Sequence, residues 1–174
     1  MDTKTTSNIA SSTMQQHQSP ARQIQATTVT MKDVLDLYIA FGTPPPEAGP
    51  GFPQHWLLIL CPPDSVWGTY YHAVGTAPVG APYEVTIEAD RRVDNFAFDS
   101  SEKICTIPAA DEARVRAACE SVHPVYCQSY VVDVLAILEK DRIVPFGTTA
   151  NYKPRMEPSP WAKADGCATT YGLM

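Results

Sequence analysis

The sequence predicts an α+β fold, a small antiparallel β-sheet or partial barrel packed against helices. Three observations predict it. Short apolar or alternating runs bounded by proline and polar turns fill the middle of the chain, as strands do. Two helix-forming stretches follow them, one with a clear apolar face. Sixteen prolines among 174 residues argue against an all-helical bundle, because each interior proline removes a donor and breaks a turn.

In chain order, residues 1–29 are mostly Ser, Thr, Gln and small side chains. Such a composition buries too little surface to repay ordering, and a loose or disordered tail is expected. Leu37–Phe41 reads as a strand, with a helical turn over Met31–Leu37 as the alternative. Gly42–Pro53 holds five prolines and is a loop. Trp56–Leu60 is a continuous apolar run, a strand buried on both faces, stopped by Pro62-Pro63. Tyr70–Val74 is the next strand. Pro82–Glu88 alternates apolar and polar residues. Asn95–Phe98 and Lys103–Ile107 read as two more strands.

Pro108–Ser121 is rich in helix formers, with Asp111 and Glu112 in its first turn. Tyr126–Lys140 gives the strongest helical signal. Tyr130, Val131, Val134, Leu135 and Leu138 fall on one face at three- and four-residue steps. Residues 150–174 show no periodicity and read as a C-terminal tail or arm. Residues 30–149 are therefore the expected folded domain.

Charge and composition narrow the function classes. Net charge is −6. Each end carries +1, which leaves −8 for residues 31–149. An acidic body without a Lys/Arg stripe does not suit nucleic acid or an anionic membrane. The longest apolar run, Trp56–Cys61, is too short to span a bilayer. Residues 1–20 lack the apolar segment of a secretory leader. The five cysteines are scattered and odd in number, which suits reduced thiols and a cytoplasmic location. No CxxC or paired Cys/His spacing suggests a metal. No glycine-rich phosphate loop or cofactor-lysine motif occurs, so no cofactor is expected. An exposed strand edge leaves a homodimer open.

Cys127 opens the amphipathic helix. A thiol there sits near the positive end of the helix dipole and near unpaired N–H groups. Both favour the thiolate, so the position suits a nucleophile; a buried structural cysteine is the plain alternative. His55 opens the Trp56 strand and His72 lies within the next. A cysteine nucleophile needs a base in reach, and the base needs an orienting partner. His123, four residues before Cys127, is a reserve candidate; His17 lies in the polar tail.

The order Gln54-His55-Trp56-Leu57-Leu58-Ile59, then Tyr71-His72-Ala73-Val74, then Tyr126-Cys127-Gln128-Ser129-Tyr130-Val131 resembles the permuted papain-like (NlpC-type) cysteine enzymes. That group includes lecithin:retinol acyltransferase and the H-Ras-like suppressor phospholipase/acyltransferases. The pattern is also similar to a set of fungal proteins with a His-Trp strand and a Cys-Gln helix start. The resemblance covers about residues 35–145. It implies a permuted papain-like fold, with Cys127 as nucleophile, His55 as base and His72 as the polar member that orients His55. Their neighbours Trp56, Tyr71, Tyr126 and Gln128 are the candidate substrate contacts. Tyr126 stands where the family has Asn before its cysteine, and Gln128-Ser129 where it has Glu-His. The activity implied is acyl transfer, as hydrolase, acyltransferase or cyclase, on a small-molecule or acyl substrate. Two other readings remain from the residues themselves: a non-catalytic ligand- or protein-binding module on the same fold, and a small biosynthetic cyclase or isomerase using acid/base histidines.

Overall fold

The computed structural model describes residues 33–44, 51–75, 82–94 and 98–159. Five strands and three helices follow in the order β1 (Val34–Gly42), β2 (His55–Cys61), β3 (Trp67–Val74), β4 (Glu84–Arg92), β5 (Phe98–Pro108), α1 (Glu112–Ser121), α2 (Cys127–Lys140) and α3 (Thr148–Tyr152). The strands form one antiparallel sheet in the order β4-β3-β2-β1-β5. The molecule is thus α+β, as the sequence predicts. The sheet is open, with β4 and β5 at its edges.

The central strands are apolar on both faces for a simple reason: both faces are covered. Strand alternation sends Leu37, Ile39, Phe41, Trp56, Leu58, Leu60, Tyr71 and Ala73 to one side. There they meet Val115 and Cys119 of α1 and Tyr130, Val131, Val134, Leu135 and Leu138 of α2 in the main core. Ala40, Leu57, Ile59 and Tyr70 point to the other side, into a smaller cluster closed by Tyr38, Val93 and Phe98. Val134 is wholly buried, which places the apolar stripe of α2 against the sheet. The hydroxyl of Tyr130 donates to the Cys119 carbonyl oxygen at 2.9 Å and ties α2 to α1.

Two details differ from the sequence-based expectation. The expected separate strands around Phe98 and Ile104 are one strand, Phe98–Pro108. The polar Asp99–Lys103 stretch belongs to it because β5 is an edge strand whose outer positions face solvent. The segment from residue 150, expected as a tail or an aperiodic arm, starts inside helix α3 and lies on the body as far as residue 159. Tyr152 is buried in the main core. Arg155 forms a two-pronged pair with Glu102, both bonds 2.8 Å, and lies over the Phe41 ring at 4.9 Å. These anchors are scattered singly and show no periodicity in sequence. The expected N-terminal tail at residues 1–29 and the remainder of the C-terminal tail lie outside the described residues.

No helix among the described residues is long and apolar enough to cross a membrane. No group of three or more potential metal ligands occurs among them either.

Candidate active site

Cys127 is the first residue of α2, after Tyr126 in an extended conformation (φ −43°, ψ 129°). The helix packs its apolar stripe on the sheet, so its first turn arrives at the end of β2. The backbone amides of Trp56, Gln128 and Cys127 face the sulfur and pull the thiol pKa down. Burial acts the other way and is the larger effect. It pushes the thiol above its ordinary value of 9.0, and the Glu157 carboxylate adds to the rise. The sequence-based expectation of a partly ionised sulfur is therefore reversed in the free protein: a helix N-terminus contributes too little to offset the desolvation of a thiolate.

The two histidines meet. Nε2 of His55 lies 2.8 Å from Nδ1 of His72. Strand alternation explains the contact. His55 shares the face of Leu57 and Ile59, and His72 shares that of Tyr70, so both rings leave the sheet on the side away from α2. Burial lowers the His55 pKa to about 4, helped by the neighbouring His72. Burial lowers His72 as well, and Arg91 adds to it. Both imidazoles are neutral near neutral pH.

His55 and Cys127 both line a cavity of about 440 Å³ at the end of the sheet. The rest of its wall is mainly apolar and aromatic, including Phe52, Pro53, Val74, Tyr83 and Tyr126. Gly75 allows Tyr83 to close on it. A Cβ at residue 75 would fall 2.7 Å from Tyr83 Cδ1 and 2.8 Å from its Cα, closer than packed atoms allow. No hydrogen bond joins Cys127 Sγ to either imidazole among the described residues. His72 stands behind His55, outside the cavity wall.

The expected substrate contacts divide. Tyr126 lines the cavity, with its hydroxyl buried and without a hydrogen bond. Trp56 and Tyr71 do not line it. Trp56 is buried in the main core and packs edge-on against Phe41, 5.4 Å between centroids. Tyr71 is wholly buried close to Cys119 of α1. Both fall on the helix-covered face by alternation. Gln128 is wholly buried, and its side-chain amide is fully engaged. Nε2 donates to the Gln54 carbonyl oxygen at 2.9 Å and to Glu157 Oε2 at 3.0 Å; Oε1 accepts from the Glu157 amide at 2.6 Å. It holds the site together and leaves no group for a substrate. The reserve candidate His123 is not among the residues that line this cavity.

Three residues enter the site that the sequence did not single out. Gln54 is held by Gln128, by Glu157 Oε2 at its amide (3.0 Å) and by Asp99 at its side chain (2.7 Å), which fixes the backbone just before His55. Glu157 reaches the site from the C-terminal segment, and nothing in the local sequence marks it. Glu88 lies on β4, the neighbour of β3, with Oε2 3.9 Å from His72 Nε2. The alternation of β4 signals its face; only the β3–β4 register, Tyr70 opposite Glu88, reveals the neighbour.

No curated protein and no solved structure is significantly similar to the chain. The model of a family of unknown function, DUF6540, matches residues 43–145, a span that takes in β2 with His55, β3 with His72 and α2 with Cys127. That span is more than half of the 174 residues, and the chain belongs to this family.

Proposed function

We propose that the protein is a cysteine-dependent acyl-transfer enzyme of permuted papain-like arrangement, with Cys127 as nucleophile, His55 as base and His72 as its orienting partner. One observation carries the reading: Cys127 and His55 line one cavity, while Nε2 of His55 is held at 2.8 Å by His72. With the Nε2–H of His55 donating in that contact, Nδ1 of His55 is the nitrogen available to take a proton.

Thiol and imidazole rest neutral, so proton transfer accompanies attack. His55 Nδ1 takes the Sγ proton as sulfur bonds to the acyl carbon. The carbonyl π electrons move to oxygen, where the amides at the start of α2 supply donors. Collapse expels the leaving group, which receives the proton from His55, and a thioester remains on Cys127. An acceptor, water or another nucleophile, gives its proton to His55 as it attacks the thioester; collapse releases the thiol, which regains that proton. A positioned base of this kind contributes about 10²–10⁴-fold. Among the described residues the cavity wall carries no Lys, Arg, Asp or Glu, which suits an uncharged acyl group.

A second reading, a non-catalytic binding module, is favoured by the missing Cys–His hydrogen bond and by the burial that holds both groups neutral. Turnover of p-nitrophenyl butyrate separates the two. Wild type hydrolyses the ester, and Cys127→Ala and His55→Ala lose that activity while keeping the fold. Equal turnover by wild type and Cys127→Ala contradicts the acyl-transfer reading.

A further inference from the structure

We propose that Glu88 is a positioning residue for the histidine pair, holding His72 in the tautomer that leaves Nδ1 of His55 free to accept a proton. The inference rests on the acyl-transfer reading and adds a fourth member to its site.

His55 Nε2 and His72 Nδ1 lie 2.8 Å apart. A neutral imidazole has one donor nitrogen and one acceptor. If His72 Nδ1–H donates, His55 accepts at Nε2 and carries its own proton on Nδ1. The nitrogen that must act as base is then blocked. If His55 Nε2–H donates, Nδ1 of His55 is free, and His72 must carry its proton on Nε2. Only this second arrangement is productive.

The environment of His72 Nε2 selects between them. That atom is fully buried and has no hydrogen-bond partner. Glu88 Oε2 stands 3.9 Å away, too far for a hydrogen bond but well placed to attract an N–H dipole. β4 runs antiparallel beside β3 and puts Glu88 diagonally across from His72 on the same face. The carboxylate therefore favours the proton on Nε2. When His55 takes the thiol proton, the positive charge is shared along the pair and the carboxylate offsets it.

Arg91 opposes this. Its Nε lies 3.5 Å from the same Glu88 oxygen, and its charge disfavours a charged His72. Among the described residues, the ionic and titratable groups recorded at His72 are His55 from β2 and Glu88 and Arg91 from β4. Glu88 is divided between the imidazole and the guanidinium, so removing each of the two should have opposite effects.

Histidine-ring ¹⁵N NMR on the full chain reads the tautomers, and p-nitrophenyl butyrate turnover reads the consequence. In wild type both His55 and His72 are expected as Nε2–H. In Glu88→Ala the Nδ1–H form of His72 appears, and turnover falls by about tenfold, a part of the 10²–10⁴-fold that a positioned base contributes. Arg91→Ala keeps the Nε2–H form, raises the His72 pKa and does not lower turnover. Glu88→Gln keeps the side-chain shape and loses the charge. It lowers the His72 pKa and gives the comparison if Glu88→Ala does not fold. His72 tautomers unmoved in Glu88→Ala, or an Arg91→Ala variant that repeats its loss, overturn the proposal. The ring spectra do not depend on turnover. A tautomer shift in a chain that turns nothing over keeps Glu88 in its role and rejects acyl transfer. Cys127-dependent turnover with tautomers indifferent to Glu88 rejects the role of Glu88 alone.

Discussion

The side-chain amide of Gln128 donates to the main-chain oxygen of Gln54 across 2.9 Å, one residue before His55. The same amide grips Glu157 through Nε2 and Oε1. A single buried side chain thus links the first turn of α2, the start of β2 and the C-terminal segment. Gln128→Leu removes all three bonds and leaves polar atoms of Gln54 and Glu157 without partners. Gln54 is half-buried and Glu157 exposed, so water recovers part of each loss, and the cost is about 0.5–1.5 kcal/mol for each bond. Melting followed by circular dichroism should drop by several degrees, and ester turnover should fall with the loss of His55 placement. Unchanged melting and turnover would show that the clamp holds nothing.

The buried histidine pair makes stability depend on pH in a defined direction. His55 titrates near 4 in the folded chain against an ordinary value of 6.5. The unfolded chain therefore binds a proton that the folded chain refuses, and stability is lost as pH falls from about 6.5 towards 4. It is fully present above 6.5. The gap corresponds to about 3 kcal/mol. Urea unfolding at intervals across this range should show the loss in wild type and a much shallower one in His55→Gln. A profile that His55→Gln leaves unaltered would mean that the ring is not buried as described.

Much of the fold is legible in the sequence because its signals are local. The Trp56–Leu60 run is apolar throughout since β2 has neighbours on both faces, and the Val131, Val134, Leu135, Leu138 stripe marks the covered side of α2. The start of α2 at Cys127 follows the non-helical Tyr126 before it. That His72 orients His55 is what the family resemblance implies, and the contact itself depends on the pairing of β2 with β3. Contacts far apart in sequence were not legible. Glu157 meets Gln128 and Gln54 across 29 and 103 residues, and an exposed glutamate in an aperiodic stretch advertises no partner. Trp56 and Tyr71 were misassigned to the cavity because adjacency in sequence is opposition across a strand. The charge state of Cys127 was misjudged because burial, the larger effect, depends on tertiary packing.

That charge state gives a prediction of its own. Burial lifts the Cys127 thiol above 9.0, and Cys119, in the core, is pushed up to about 12. Alkylation of Cys127 by iodoacetamide should therefore keep rising through pH 9 with no plateau near neutrality. Cys127 should still react before Cys119, since it opens to a cavity. A rate at Cys127 that is level from about pH 6 to 8 would reveal a preformed thiolate–imidazolium pair and refute the neutral resting state.

Acyl transfer by this route requires that the sulfur of Cys127 accept an acyl group. Intact-protein and peptide mass spectrometry after brief exposure to p-nitrophenyl butyrate and acid quenching measures this directly. One butyryl group, attached at Cys127 and removed by hydroxylamine, is the expected result, with no adduct on Cys127→Ala and a slower build-up on His55→Ala. Ester turnover that proceeds with Cys127 unmodified, or butyryl groups spread over the other cysteines, would contradict it.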